Sequence, residues 1–261
     1  MTNEATAKSD LSLRIITGVI LAAISFWALW VDGWRLLALS SLFAAIMCWE
    51  MFHLAARDRH LYALIVAILS AAAVWFSGRD EMLLALALLA GVTAIGWILA
   101  PAAWRAVFPI YVFAIAAAGL AIFLIRDTYG FAAALWLVLI VVATDIAGYF
   151  VGRSVGGAKF WPSISPKKTW SGVIAGWIAA AVVSVAMASS IGYGIVGALF
   201  WGVLLSFVAQ MGDIAESWVK RRAGVKDSSG ILPGHGGVSD RFDGLVAVLV
   251  VAIILQGILF A

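Results

Sequence analysis

Charged side chains are scarce in this chain of 261 residues. Asp, Glu, Lys and Arg make up 12% of it, against about 25% in soluble domains. Hydrophobic residues reach 64% and the mean hydropathy is +1.07. Those values exclude an ordinary soluble domain and indicate a polytopic membrane protein. The net charge of +3 is modest and the basic residues lie between apolar runs, so nucleic-acid binding is a poor reading. One cysteine, Cys48, lies inside an apolar run. It excludes an intrachain disulfide and reads as a structural thiol. There is no Cys/His metal cluster and no G-x-x-x-x-G-K-[ST] phosphate loop. Neither a soluble insertion nor a repeat interrupts the pattern. The expectation is one all-α membrane domain over 1–261, with N-terminal helices in 1–125 and catalytic helices and cytoplasmic loops in 126–261.

What is present is apolar sequence in lengths near the ~20 residues that cross a bilayer. Nine spans are expected, at about 15–31, 34–55, 61–77, 82–100, 106–125, 130–150, 172–191, 194–217 and 244–260. The polar stretch Met1–Ser12 is expected to fray. The run Ile15–Val31 is too long for a signal-peptide core, and Val31-Asp32-Gly33 is no small-residue cleavage site, so the first helix is read as retained. Glycines at 172, 176, 194, 197 and 202 suit close helix packing or ordinary membrane-helix composition equally. With the N-terminus cytoplasmic, Lys8, Arg14, Arg57, Arg59, Arg105, Arg153, Lys159, Lys167, Lys168, Lys220, Arg221, Arg222, Lys226 and Arg241 share the inner side. That is 14 of the 17 basic residues. Only Arg35, Arg79 and Arg126 fall outside, a strong positive-inside bias. Ala261 is then outside, and the polar loops at about 151–171 and 218–243 are cytoplasmic.

The densest charge lies in Ser217–Asp243, where Lys220, Arg221, Arg222, Lys226 and Arg241 sit beside Asp227, Asp240 and Asp243. Positive-inside anchoring explains lysines and arginines but not three carboxylates with His235 in a Pro-Gly-His-Gly-Gly run. Ionisable residues within spans default to functional candidates. Asp145, with Tyr149 one turn on, lies near the cytoplasmic end of the sixth span. Asp213 and Glu216 are three apart and share a face that Ser217 and Lys220 continue. Asp240 and Asp243 are three apart where the ninth span begins. Clustered carboxylates cost several kcal/mol without compensation. A hard cation such as Mg²⁺, which takes oxygen ligands, would remove that cost. Each residue has a plainer reading. Asp213 pairs with Lys220 or Arg241, Glu50 pairs with Arg57 at the interface, His235 is a loop residue, and Asp243 is a helix N-terminal carboxylate.

The other polar loop holds Ser165-Pro166-Lys167-Lys168-Thr169. It reads as a polyanion-binding turn, with hydroxyls, free amides and two lysines as donors. Attraction to anionic lipid is the alternative. Two phosphate-friendly loops and a carboxylate cluster at one membrane face suggest phosphoryl or nucleotidyl transfer to a lipid-borne group.

The run Ser217-x-Val219-Lys220-Arg221-x4-Lys226-Asp227-x-Ser229-x2-Leu232-Pro233-x-His235-Gly236-Gly237-Val238-x-Asp240-Arg241-Phe242-Asp243 resembles the signature of the phosphatidate cytidylyltransferases, the CDP-diacylglycerol synthases. Asp145-x3-Tyr149-x2-Gly152-Arg153 and Ser165–Gly172 resemble further segments of that family, with Ser171 where many members carry Glu. The resemblance rests on motifs in the C-terminal half; the first five spans match only in hydropathy. It implies that CTP and phosphatidate give CDP-diacylglycerol and pyrophosphate. It also implies Mg²⁺, room for a monovalent cation such as K⁺, a homodimer, and the bacterial inner membrane with the site facing the cytoplasm. Asp213 and Asp240 are then the leading metal ligands, expected to meet at one cation, with Asp145 and Asp243 as further candidates. Lys220 and Arg241 join Asp213 and Asp240 as catalytic residues. Ser165, Lys167, Lys168, Thr169, Arg221, Lys226, Asp227, His235 and Tyr149 are candidates for binding substrate. Two other classes compete. A proton-coupled carrier would place its carboxylates nearer the midplane. A polyprenol kinase or an archaeal-type lipid cytidylyltransferase would also use CTP.

Overall fold

The computed structural model describes residues 2–31, 33–79 and 81–260, with side chains from Ile16 onward. The expectations for Ala261 and for the side chains of Lys8 and Arg14 lie outside the described residues. The helices are α1 (Thr2–Val31), α2 (Gly33–Ala55), α3 (His60–Ser77), α4 (Met82–Leu99), α5 (Val107–Ser154), α6 (Trp170–Met187), α7 (Ile195–Arg222), α8 (Ser239–Ile254) and the short α9 (Gln256–Leu259). Between α5 and α6 lie two strands, β1 (Lys159–Trp161) and β2 (Ser165–Thr169). The protein is thus nearly all-α, as expected, with this short hairpin added.

Six helices among the described residues are long and apolar enough to cross a membrane: α2, α3, α4, α5, the stretch Trp170–Ile191, and α7. Helix α5 covers two expected spans in one 48-residue element. It breaks at Gly130, whose φ of 85° and ψ of 178° leave the helical region. A positive φ of that size strains any residue with a Cβ, so glycine allows the break. Helix α1 begins at Thr2, against the expectation of a frayed start. No glycine or proline interrupts its first two turns, and Glu4, Ala5, Ala7 and Lys8 are good helix formers. At the other polar segment, α7 continues to Arg222, five residues beyond the expected span. Lys220, Arg221 and Arg222 fill its last turn, where cations complement the exposed carbonyls.

The chain folds as two compact units. One comprises Met1–Ala116 and Val225–Phe242; the other comprises Ala117–Gly224 and Asp243–Ala261. The boundaries fall inside α5, just after α7 and inside α8.

In the first unit, α2 packs on α3 and α3 on α4. Cys48, Phe52, Val66, Val92 and Phe108 are fully buried there. The rings of Phe52 and Phe108 meet edge to face at 5.4 Å. Arg59 donates to the Leu99 carbonyl at 2.6 Å, closing the C-terminal end of α4. The loop Val225–Phe242 belongs to this unit, although the resemblance places it among C-terminal motifs.

In the second unit, α6 packs against α7, and polar side chains join the helices. Gln210 on α7 accepts from Trp177 Nε1 at 3.0 Å and donates to the Val173 carbonyl at 3.1 Å. Thr144 and Ser206 share a buried hydrogen bond of 2.8 Å between α5 and α7. Such bonds hold helices together where water is absent. Gly212 lets α8 approach α7: a Cβ there would stand 2.7 Å from the Asp243 carbonyl oxygen and 2.7 Å from Ala247 Cβ. That contact sets Asp213 beside the start of the α8 body.

Candidate active site

The segment Ser165–Thr169 forms β2 of an antiparallel hairpin, pairing Lys159 with Thr169 and Trp161 with Ser165. The expected turn is therefore a strand. Pro166 has no amide to donate, and an edge strand tolerates that. Thr169 ends the strand and caps α6, its Oγ1 accepting from Gly172 N at 3.3 Å. Its buried hydroxyl is also within 2.9 Å of Ser171 Oγ. Thr169 thus aims β2 at the start of α6, and Lys168, one residue earlier, reaches α7.

Lys168 Nζ lies 2.6 Å from Asp213 Oδ2 and 3.3 Å from the Gln210 carbonyl. The plainer sequence reading, in which Asp213 pairs with Lys220 or Arg241, is corrected: its ionic partner is Lys168. Ser217 Oγ donates to Asp213 Oδ1 at 3.3 Å, one turn along α7. Lys220 pairs with Glu216 instead, at 2.6 Å. Both side chains of that pair are nearly buried, 11% and 7% exposed. The shared face of Asp213, Glu216, Ser217 and Lys220 is therefore real, but each cation takes its own carboxylate. Asp243 adds a third carboxyl, hydrogen-bonded to Glu216 and within electrostatic reach of Asp213. Two carboxyls this close hold either a proton or a cation between them. Its Oδ1 also accepts from Gly244 N at 2.7 Å.

The second group of candidate side chains lies in the first unit, around the loop that leads into α8. Asp240 Oδ2 accepts from Ser228 N at 2.8 Å, Ser228 Oγ at 3.0 Å and Gly237 N at 2.7 Å. One oxygen thus ties both ends of the loop together. Glu50, on α2, is fully buried. Its Oε1 accepts from Ser229 Oγ at 2.6 Å and Val238 N at 2.9 Å. Its Oε2 accepts from Ser239 N at 2.8 Å and Ser228 Oγ at 3.3 Å. The expected pairing of Glu50 with Arg57 is corrected by these four bonds. The amides of Val238 and Ser239 are orphan donors at the start of α8, and a carboxylate satisfies them well.

His235 is more than a bare loop residue. Its Nδ1 lies 2.5 Å from Thr17 Oγ1 on α1, and Thr17 also donates to the Pro233 carbonyl at 3.4 Å. Arg241 donates through Nε and Nη2 to the His235 carbonyl, at 3.1 and 2.8 Å. Its guanidinium therefore braces the glycine-rich turn.

The other candidates are mostly exposed. Lys167, Lys226, Asp227 and Arg221 are exposed, and Ser165 is half-buried. Asp145 is exposed on α5. Tyr149 is 57% exposed and accepts from Arg153 Nη1 at 2.8 Å. Among the described residues, no group of three or more His, Cys, Asp or Glu side chains forms a ready metal cage. Mg²⁺ does not need one, because it keeps waters and is held by one or two carboxylates plus substrate phosphate. Asp213 and Asp243 offer two such carboxylates. Sequence reasoning missed Thr17, Glu50 and Ser228. The signal for Glu50 was present: a carboxylate more than a turn inside a span demands an explanation.

The chain is 37% identical over 268 residues to a phosphatidate cytidylyltransferase of Brucella suis biovar 1, a match covering 97% of this chain and 95% of the relative. Shorter matches link it to proteins of the same name. One is from Helicobacter pylori, 42% identical over 48% of this chain and 47% of the relative. Another is from Staphylococcus aureus strain COL, 44% identical over 44% and 45%. The model of the cytidylyltransferase family matches residues 12–259. With that match spanning nearly the whole sequence, and with the carboxylate-braced loop it contains, the chain belongs to the cytidylyltransferase family.

Proposed function

We infer that the protein is an integral membrane phosphatidate cytidylyltransferase, transferring the cytidylyl group of CTP to phosphatidate in phospholipid biosynthesis. The observation that carries this is the end-to-end match to a phosphatidate cytidylyltransferase. The lipid phosphomonoester has its second pKa near ~6 and is largely ionised at neutral pH. Its oxygen attacks the α-phosphorus of CTP, the bond to the β-phosphate oxygen breaks, and pyrophosphate leaves. No strong general base is needed. The work is to hold two polyanions in line and to stabilise charge on the leaving group.

Lys168, held on α7, and exposed Lys167 offer cationic donors beside the α7 carboxylates. Lys226 and Arg221 offer further positive charge for phosphate, while Arg241 fixes the turn that presents His235. His235 orients or donates to a phosphate. Ser165 and Thr169 shape the β2 end that carries the lysines. Mg²⁺, when bound, would screen the phosphates and polarise the reacting P–O bonds. Asp213 and Asp243 would supply oxygens to it, with Asp240, which the resemblance implies, and Asp145 as further candidates. A second, monovalent cation such as K⁺ would serve as further charge balance.

We also propose nine spans with a cytoplasmic N-terminus. The break of α5 at Gly130, the 16-residue apolar stretch Ile16–Val31 and the 16-residue α8 support that count. The distribution of basic residues supports an active site on the cytoplasmic side of the inner membrane, where CTP is available. A homodimer is the expected assembly. Transfer of label from CTP to lipid tests the reaction: α-phosphorus label enters lipid for a cytidylyltransferase, γ-label for a kinase, and neither for a carrier.

A further inference from the structure

The geometry points to Glu50 as a positioning residue for the reaction: a carboxylate on α2 that clips the Val225–Phe242 loop into shape. The inference rests on the proposed cytidylyl transfer, in which this loop carries His235 and Asp240.

Glu50 is fully buried, and the four groups that donate to it are neutral. They come from two places nine or more residues apart, Ser228–Ser229 and Val238–Ser239. Asp240 ties the same two ends from the other side, through Ser228 and Gly237. The single Ser228 hydroxyl hydrogen faces both carboxylates. Gly237 sits between them: a Cβ there would overlap Ser228 Oγ and Glu50 Oε1. Two carboxylates with six loop donors thus set the spacing between the two ends of this glycine-rich loop. A glutamine at position 50 keeps the size. It replaces one acceptor oxygen by an NH₂ that faces donors, so at least one pair becomes donor against donor.

The experiment uses the full-length protein in lipid nanodiscs. Hydrogen exchange of residues 226–240 and turnover per monodisperse molecule are measured for wild type, Glu50→Gln and Ser229→Ala. Glu50→Gln is expected to speed exchange in 226–240 while leaving α3 and α6 unchanged. Its turnover should fall about a hundredfold, as expected when reacting groups shift by about an ångström. Ser229→Ala removes one 2.6 Å bond and no charge, so it should show both effects in smaller measure. Faster loop exchange with wild-type turnover overturns the inference. So does lost turnover with wild-type exchange, or faster exchange throughout the chain. If Glu50→Gln does not fold, wild-type values for Ser229→Ala in both assays overturn it. A wild-type protein that transfers no cytidylyl group would contradict the reaction itself, and exchange would then judge the clip alone.

Discussion

Replacing Asp213 by Asn separates a structural role from a chemical one by magnitude. The Asp213–Lys168 pair measures 2.6 Å, and its side chains keep 32% and 22% of their exposure. Breaking a fully buried pair on one side costs about 3–5 kcal/mol, whereas exposed pairs contribute about 0.2–1 kcal/mol. This pair lies between, and Lys168 retains the Gln210 carbonyl at 3.3 Å. Asn still offers its carbonyl to Lys168, and its NH₂ can donate to the Ser217 hydroxyl oxygen. The expected loss of stability is therefore about 1 kcal/mol. For a chain of this size that lowers Tm by only about 2–4 °C. Loss of a carboxylate that holds the cation of the reaction would act on the barrier instead. A thousandfold fall in turnover corresponds to about 4 kcal/mol of activation free energy, far more than the structural cost. The assay is turnover of purified, monodisperse Asp213→Asn against Mg²⁺ concentration, with Tm measured on the same sample. Near-wild-type turnover with an unchanged Mg²⁺ requirement would remove Asp213 from the cation site. A Tm drop above about 10 °C would show that the stability reasoning is wrong.

Four further outcomes follow from the same geometry. Lys220→Met leaves Glu216 without its 2.6 Å partner and should destabilise the protein by about 3 kcal/mol; an unchanged Tm would contradict it. Gly237→Ala should cut turnover at least about tenfold, because the new Cβ meets Ser228 and Glu50 and overpacking costs about 1–3 kcal/mol; wild-type kinetics would show that the loop yields freely. His235→Gln should keep measurable activity and the lipid-phosphate limb of its pH–rate profile; loss of that limb with substrate binding intact would make His235 a proton-transfer group. Cysteines placed at exposed Ser163 and Gly230 in a Cys48→Ala background should resist a membrane-impermeant thiol reagent added outside intact cells, and labelling of either would reverse the orientation.

Much of the fold was legible because hydropathy measures what a bilayer selects. Runs of about 20 apolar residues became helices, and Gly130 fell at the expected junction between two spans. The ends were less legible, because α7 runs past its apolar part through Lys220–Arg222, which the helix terminus itself favours. The hairpin at 159–169 left no clear signal: β2 is short, polar and contains a proline. In the site, helical spacing correctly grouped Asp213, Glu216, Ser217 and Lys220. Spacing could not say which lysine takes which carboxylate, since Lys168 comes from a strand more than forty residues upstream. Glu50 shows the same limit more sharply. Its partners lie nearly 180 residues away in sequence, and a local reading offered only Arg57. The motif pointed to the chemistry, while α1 and α2, which the motif does not cover, supply Thr17 and Glu50 as hydrogen-bond partners of the loop.

The most direct test of the central claim uses the purified protein, phosphatidate, Mg²⁺ and CTP labelled at either the α- or the γ-phosphorus. Label from the α position should pass into a chloroform-soluble lipid while γ-label leaves as pyrophosphate in the aqueous phase. Lipid carrying the γ-label, or no lipid labelling from either position, would contradict cytidylyl transfer by this protein.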